Sequence, residues 1–523
     1  MRSQISPHQM KFDGFETDFE KWLDPDNRWV VLGSIIPWAE LSEAYNRSFS
    51  GNMGRPAKDA RLVIGAVIIK HKLCLGDDET ISQIQENPYL QHFVGFKGFC
   101  KKKAFAPSLF VKIRERMGPE VFALFEVSII TRISAQKRSE NYDDNPKPPS
   151  KDESASYHST SPEDLDQETT NPGNSNTGKL ILDATVVEQA IRYPTDLGLL
   201  NEAREISEEI IDKLHPQGKL GTKKVRTYRR KARQVYLALV KQRRPGSKKL
   251  RKAIGQQLRY LKRNMSYIEA MLNELPELEI PLSRKLVLRY WIIQTLYLQQ
   301  KLMFDSRIRR CDDRIVSIHQ PHVRPIIRGK QNKAVEFGAK LGVSLDQDGI
   351  ACVDHVSWDA YSEGSDLPGQ VEAYKQRHGH YPEKLLADPL YGNRENRKFL
   401  KEKGIRFAGK PLGRPPKLSD TAQKLDRQQR RQDYRERIPI EGKFGQGKNG
   451  YNLNYIRART AKTSEAWIRS IFLVMNLLVL VRILLACMAK HLIRCLMFTP
   501  VTRIWSPYNI NHQANHLLTA RST

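Results

Sequence analysis

The stretch YRERIPIEGKFGQGK, residues 434–448, carries the most informative pattern in the chain. Its Tyr434, Arg437, Glu441 and Lys448 follow one another at intervals of three, four and seven residues. On an α-helix these intervals place all four side chains on one stripe, with a single carboxylate among aromatic and basic groups. An exposed helix face with an i,i+4 Arg–Glu ion pair would give the same pattern. The stretch therefore predicts a helix and leaves its role open.

Two isolated aspartates accompany apolar runs that are typical of β-strands. Asp183 interrupts LILDATVV, residues 180–187, and Asp388 ends the apolar part of KLLADPLYG, residues 384–392. A carboxylate buried without a partner is costly, so each needs an ion pair, a metal ion or an open sheet edge. From the residues alone, an aspartate that faces solvent at a strand end is the alternative for Asp183.

The spacing Y-x2-R-x3-E-x6-K of residues 434–448 resembles the signature of DDE transposases of bacterial insertion sequences. Residues 179–187 and 384–405 resemble the two aspartate blocks of that family, and the resemblance runs from about residue 10 to about residue 485. Residues 28–96 resemble the N-terminal domain of insertion-sequence family five. Pro389 and Leu390 depart from the polar or basic residues that often follow the second aspartate, which affects the local loop and not the carboxylate.

The resemblance implies a metal-dependent enzyme that cleaves DNA at terminal inverted repeats and joins the freed 3′-OH ends to target DNA. Its catalytic and metal-binding carboxylates would be Asp183, Asp388 and Glu441. Two Mg²⁺ ions about 3.5–4 Å apart, with Mn²⁺ as a substitute, would serve the phosphoryl transfer, because Mg²⁺ prefers oxygen ligands.

The resemblance also assigns accessory positions on the 434–448 helix. Tyr434, Arg437 and Lys448 match the family's positions for contact with phosphate or DNA, and the charges of Arg437 and Lys448 suit phosphate. The expected partners are double-stranded DNA at the element ends and at the target, and further copies of the chain in an oligomeric active complex.

The overall charge favours a polyanionic partner. The 523 residues contain 86 Lys and Arg against 58 Asp and Glu, for a formal net charge of +28. Nucleic acid and an anionic membrane both fit such an imbalance. Six cysteines without C-x2-C spacing indicate reduced thiols rather than disulfides or a zinc site. The first residues lack an apolar segment, so we expect no signal peptide and a cytoplasmic, nucleoid-associated bacterial protein.

The basic charge concentrates between residues 213 and 270, where nineteen Lys or Arg stand against one acidic residue, Glu269. Tyr228, Tyr236 and Tyr260 are interleaved with them. A solvated helix face is the ordinary explanation of a charge run, but a long run of one sign repels itself, which favours phosphate binding. The candidate DNA-binding residues are Lys223, Lys224, Arg229, Arg230, Arg243, Arg244, Lys248 and Lys249.

The patterns predict an α/β protein with an RNase H-like catalytic domain, a mixed sheet flanked by helices. Strands are expected at 314–320, 335–345 and 350–358 in addition to the two aspartate strands. In this fold the first strand lies centrally, beside the strand that carries Asp388. The expected divisions are a helical N-terminal domain (1–134, DNA-end binding), a disordered linker (135–178), the catalytic domain (179–187 and 313–490), a basic helical insertion (188–312) and a C-terminal tail (491–523).

Two segments allow competing interpretations. The helices predicted at 60–75 and 78–96 suit either a helix-turn-helix DNA-binding unit or an ordinary helical hairpin. The apolar helix at 463–489 is nearly long enough to span a membrane. Because Asn476 and Arg482 interrupt it, and a central arginine is costly in lipid, we expect a buried helix that packs on the sheet and no membrane association.

Two other functions fit the same sequence features. One is a DNA-binding protein whose catalytic triad has decayed, and the other is a metal-dependent nuclease of the same fold that hydrolyses DNA without joining it. Metal-dependent strand transfer that Asp183→Ala abolishes would exclude the first. DNA ends joined to a target plasmid would exclude the second.

Overall fold

The computed structural model describes residues 17–47, 49, 57–143, 176–215, 225–275, 280–330, 333–413 and 419–498. The described N-terminal region is helical, as predicted. Its helices are α1 (Asp18–Trp22), α2 (Arg28–Ile35), α3 (Trp38–Asn46), α4 (Ala60–Lys72), α5 (Asp77–Glu86), α6 (Pro88–Phe93), α7 (Leu109–Arg116) and α8 (Pro119–Asp143).

Two predicted boundaries in this region were wrong. The single helix expected over 78–96 is divided at Asn87, because the residue before Pro88 is disfavoured in the α conformation. The Asn87 side chain instead caps α6 by accepting hydrogen bonds from the backbone of Tyr89 and Leu90. Residues 135–143, predicted to begin the linker, continue α8, and residues 144–175 lie outside the described residues.

The sheet is mixed, and its central strand is β1. The strands are β1 (Lys179–Glu188), β2 (Arg324–Lys330), β3 (Lys333–Asp346), β4 (Ala351–Ser357), β5 (Lys384–Ala387) and β6 (Arg406–Ala408). Strand β1 pairs antiparallel with β3 on one side and parallel with β5 on the other, and β6 continues the sheet in parallel beyond β5. The expected position of the first strand, beside the strand that leads to Asp388, is confirmed.

The strand predicted at 314–320 is not present. Ile315 and Ile318 are buried instead in the core of the helices that follow β1, so their alternating pattern does not reflect sheet pairing. The strand lies ten residues later, at β2, which pairs with β3. The predicted strands at 335–345 and 350–358 correspond to β3 and β4, joined by a turn in which the amide of Gly349 donates to the carbonyl of Asp346.

Among the described residues between β1 and β2 there are four helices. They are α9 (Asp196–Leu214), α10 (Arg229–Val240), α11 (Ser247–Asn273) and α12 (Arg284–Asp305). Leu200, Leu261 and Ile293, one from each of the three longer helices, are completely buried in a shared core. The helical interruption expected after the first strand is therefore a packed unit with its own hydrophobic core.

Helices cover both faces of the sheet. Helices α13 (Leu367–His378) and α14 (Arg394–Glu402) pack on the face that contains Leu180 and Leu182. Helices α15 (Asp420–Gly450) and α16 (Ala461–Phe498) pack on the opposite face, which contains Ile181 and Val187. Burial of both faces explains why the sequences of β1 and β5 are largely apolar.

Helix α16 joins the N-terminal helices to the sheet. Ile468 and Ile471 pack in the sheet core, whereas Val474 and Leu480 pack among the N-terminal helices. Asn476 is fully buried and bonds the backbone of Ala351 on β4 through both its amide oxygen and nitrogen. The segment Ala461–Lys490 is long and apolar enough to cross a membrane by length and composition, but 56% of its most apolar window is buried inside the protein.

Candidate active site

Asp183 lies on β1, and Asp388 directly follows β5, the neighbouring parallel strand. The register pairs Leu182 of β1 with Ala387, the last residue of β5, so Asp183 is the next residue of β1 and Asp388 is the first residue after β5. Neighbouring strands are about 4.8 Å apart, which brings the two backbones within reach of one small ligand. The sheet thus brings together two residues that are far apart in the sequence.

Helix α15 is attached to the beginnings of the parallel strands by ion pairs. The ammonium group of Lys384, at the start of β5, lies 2.6 Å from a carboxylate oxygen of Asp433 and 3.2 Å from one of Glu436. Arg406, at the start of β6, contacts the same Asp433 oxygen at 2.7 Å. Along α15 the contacting residues come before Glu441, and along β5 the contacting Lys384 comes before Asp388. The helix therefore runs in the same direction as the strand.

About one turn beyond Asp433 on α15, Arg437 connects two of the three predicted carboxylates. Its Nη2 atom donates to Oε1 of Glu441 at 2.8 Å, and its Nη1 atom lies 3.9 Å from Oδ2 of Asp183. Ile440 and Phe444 bury the adjacent face of α15 in the sheet core. The helix stripe predicted from the sequence therefore faces the sheet at Arg437, whereas the Glu441 side chain remains 53% exposed.

Asp183 has the perturbed electrostatics of a half-buried acid. Burial raises the pKa of its carboxyl above the ordinary value, and the charges of Glu363 and Asp388 raise it further. A hydrogen bond from the amide of Ala184, at 2.8 Å, and the guanidinium of Arg437 act in the opposite direction without cancelling the increase. Perturbed acids of this kind are frequent at functional sites.

Glu363 is a fourth carboxylate that the sequence analysis did not identify. It lies close enough to Asp183 to raise its pKa, and Lys340 of β3 holds it through an ion pair of 2.9 Å. Asn396 donates to the carbonyl of Gly364 at 2.7 Å and to that of Tyr391, which ties this turn to the turn after Asp388. The only local signal was an acidic residue a few positions before α13.

Tyr434 and Lys448 lie further from the carboxylates than Arg437 does. Tyr434 is 63% exposed, one turn before Arg437. Lys448 is half-buried and lies seven residues beyond Glu441, about 10 Å along the helix axis. The structure places Asp388 and Arg437 near Asp183, and Arg437 contacts Glu441, with Tyr434 and Lys448 towards the two ends of the same stripe.

The donor atoms at this site suit a hard cation, but the side chains do not enclose one. Carboxylate oxygens are the ligands that Mg²⁺ prefers. Within the described parts of the chain, no group of three or more His, Cys, Asp or Glu side chains is arranged to hold a metal ion. Glu441 pairs with Arg437 instead of approaching the aspartates, so metal binding would require Glu441 to exchange that partner.

The basic helices present most of their charge to solvent. Five of the predicted DNA-binding residues are exposed on α10, α11 and the turn between them: Arg230, Arg243, Arg244, Lys248 and Lys249. Tyr236 and Tyr260 are buried and belong to the helical packing, whereas Tyr228 is exposed. These helices thus combine an apolar interior with an outer surface of predominantly one charge.

Arg229 differs from its neighbours. Both terminal nitrogens of its guanidinium bond the carboxylate of Asp212 at 2.9 Å, and Asp212 raises its pKa. Its charge is therefore partly neutralised within the fold, a contact that the sequence pattern could not reveal. Lys223 and Lys224 lie outside the described residues.

The two N-terminal helices considered for DNA reading do not present basic faces. Helix α4 is buried along most of its length. The residues of α5 that are exposed, Asp78, Glu79 and Glu86, are all acidic. Carboxylates oppose contact with phosphate, so these surfaces favour the helical hairpin over a helix-turn-helix reader.

Comparison with known families identifies two segments of the chain. Residues 385–478, which include Asp388 and Glu441, match the model described as Transposase DDE domain. Residues 17–116 match the model described as Transposase domain (DUF772). The two matches support a transposase function, and the DDE domain indicates an enzyme that acts on nucleic acid. The DDE domain also suggests an RNase H-like fold for the mixed sheet and its helices.

A curated protein is similar in sequence to part of this chain. The uncharacterized protein ORF8 in the nfe locus of Rhizobium meliloti is 35% identical over 114 residues. The match covers 22% of this chain and 55% of that protein, so the chain spans about half the length of this relative. No solved structure matches the chain.

Proposed function

We propose that this protein is a DDE transposase of insertion-sequence family five. It cleaves DNA at the terminal inverted repeats of its element and joins the 3′-OH ends to target DNA. The observation that carries the proposal is the proximity of Asp183 on β1 to Asp388, which directly follows the adjacent parallel strand, beside the helix that presents Arg437 and Glu441. The similarity of residues 385–478 to a transposase DDE domain supports the same assignment.

In this proposal Asp183, Asp388 and Glu441 bind the metal ions. Two Mg²⁺ ions, for which Mn²⁺ substitutes, would supply charge for the phosphoryl transfer and stabilise the leaving 3′ oxygen. Asp183 would bind a cation through its ionised carboxylate, and the neighbouring positive charge of Arg437 favours that form. When Glu441 turns from Arg437 towards the aspartates, the guanidinium becomes available for a DNA phosphate.

Glu363 has a positioning role in this scheme. Its charge adds to the effect of burial in raising the pKa of Asp183, and a bound cation would act in the opposite direction, as Arg437 does. The Lys340 ion pair keeps Glu363 in place at the start of the segment that leads to α13.

The DNA would extend over the basic helices. The exposed residues of α10 and α11 supply phosphate contacts that do not depend on sequence, and Tyr434, Arg437 and Lys448 continue the contact along α15. We assign recognition of the element ends to the N-terminal domain, where the exposed lysines at 101–103 offer a basic segment. For this role the protein would be located in the bacterial cytoplasm, in association with the nucleoid.

A catalytically decayed DNA-binding protein is the second candidate. The pairing of Glu441 with Arg437 favours it, because a site that never binds metal could retain this ion pair permanently. A metal-dependent nuclease of the same fold is the third candidate.

The test is an in vitro reaction with DNA that carries the element's own ends, a target plasmid, and Mg²⁺ present or withheld. We expect cleaved ends and joined products only with metal, and neither with Asp183→Ala. Asp359→Asn, which alters a carboxylate that is 70% exposed, is the matched control and should react normally. Binding without cleavage in the unaltered protein would favour the decayed protein, and cleavage without joining would favour the nuclease.

A further inference from the structure

Helix α12 exposes a row of large apolar side chains. Leu288, Trp291, Leu298 and Leu302 are between 54% and 66% exposed. On the opposite side of the same helix, Ile293 and further apolar residues are buried against the other insertion helices. A helix that is apolar on both sides needs cover on both sides, and apolar patches of this size mark interaction surfaces.

The exposed row has the spacing of a coiled-coil seam. Leu288, Trp291, Thr295, Leu298 and Leu302 follow one another at intervals of three, four, three and four residues. This is the a/d repeat along which two helices pack. We define these five residues as the α12 seam. An apolar seam of this kind does not suit DNA, whose surface is a row of charged phosphates.

The α12 seam is complementary to itself when two copies run antiparallel. A two-fold axis at Thr295 places Leu288 opposite Leu302 of a second copy and Trp291 opposite Leu298. The same axis places Arg284 at one end of the helix opposite Asp305 at the other, and both residues are exposed. A parallel pairing would instead place arginine against arginine and aspartate against aspartate, so charge selects the antiparallel arrangement.

We propose that a second copy of this chain docks on the α12 seam and forms a two-fold symmetric, antiparallel helix pair. The helix has 22 residues, which corresponds to an interface about 33 Å long. Asp305 already contacts Lys301 of its own helix, and because 52% of its side chain is exposed it can accept a second cation. This inference does not depend on the catalytic proposal, because α12 lies in the helical unit after β1.

The first test measures the mass of the full-length protein by sedimentation velocity over a range of concentrations. We expect a concentration-dependent dimer that Trp291→Glu and Leu298→Glu each convert to monomer, with unchanged circular dichroism and melting temperature. Trp22→Glu, at a residue that is 84% exposed outside the seam, is the matched control and should remain dimeric. A wild-type monomer at all concentrations, or dimers of both seam variants, would overturn the proposal.

A second test fixes the orientation. Arg284→Asp and Asp305→Arg should each weaken the dimer several-fold, and the double variant should restore it. Thr295→Cys should form a disulfide-linked dimer under mild oxidation, above the background of the native cysteines, whereas Lys285→Cys, one residue beside the stripe, should not. Failure of the double variant to recover would contradict the antiparallel pairing. A monomer in which Thr295→Cys stays unlinked would indicate that another segment of the chain covers the seam.

Discussion

The ammonium group of Lys384 lies 2.6 Å from the carboxylate of Asp433, and this contact joins the start of β5 to α15. This contact fixes an earlier turn of α15, and the position of Glu441 further along the helix depends on that turn. Both side chains are largely buried, so removal of either partner leaves a poorly solvated charge.

We therefore expect Asp433→Asn to lower the free energy of unfolding by about 1–3 kcal/mol, as for hydrogen bonds between charged groups. Denaturant unfolding measures this, with Lys398→Ala, at an exposed pair with Glu402, as a control that should cost less than about 1 kcal/mol. Burial alone would raise the pKa of Asp433, but hydrogen bonds from Lys384 and Arg406 hold that pKa below its ordinary value. The stability difference should therefore be present at neutral pH and disappear only below about pH 4.

Glu441→Gln and Arg437→Ala should separate chemistry from binding. The glutamine keeps the size of the side chain but cannot hold a hard cation as a carboxylate does, so cleavage and joining should collapse while DNA-end binding persists. Arg437→Ala leaves the carboxylates intact and should cause a partial loss of joining. If both variants join DNA at the normal rate and lose no more than about 0.5 kcal/mol of stability, the two residues form only a surface ion pair.

Glu363→Gln should change the pH dependence of the reaction. Removal of this charge lowers the pKa of Asp183, so the metal-dependent rate should persist to lower pH than in the unaltered protein, with a similar maximum. The pH–rate profile of DNA cleavage measures the shift, and Glu395→Gln, at an exposed position on α14, is the control. Collapse of the maximum rate would instead identify Glu363 as a metal ligand.

Charge removal on the basic helices should weaken DNA binding regardless of DNA sequence. In a variant with Arg230, Arg243, Arg244 and Lys248 changed to Gln, the slope of log affinity against log salt should decrease by about one unit per lost phosphate contact. Arg229→Gln is an informative comparison, because the Arg229 guanidinium already bonds Asp212. This substitution should lower stability more than it changes the salt dependence of DNA binding. If the slope is unchanged in the fourfold variant, these residues do not contact DNA phosphates and form only a solvated helix face.

Glu126 of α8 should make stability depend on pH. Burial, assisted by Asp354, raises its pKa to about 7, although Arg377 lies 3.8 Å away and acts in the opposite direction. A raised pKa in the folded state means that this group's contribution to stability is lost as the pH increases towards and through 7. The effect of Glu126→Gln on the free energy of unfolding should therefore be more favourable at pH 8 than at pH 5, by about 1–3 kcal/mol. The neighbouring exposed Glu120→Gln should show no such difference.

The sequence alone determined the features that depend on near neighbours along the chain. The 434–448 helix, the apolar strand that carries Asp183 and the apolar strand that ends just before Asp388 all appear where local periodicity predicted them. Local periodicity succeeds here because each pattern repeats within a few residues and is buried on the expected face.

The tertiary structure decided which of these elements meet. The register that aligns Asp183 with Asp388, the link from Arg437 to Asp183, and the approach of Glu363 all join distant parts of the chain. The apolar residues at 315 and 318 had the alternation of a strand, but the helical core buries them, and Asp212 neutralises an arginine that resembled a phosphate ligand. Local patterns specify which surfaces are apolar or charged, whereas the partner of each surface is chosen by packing among segments that the sequence separates.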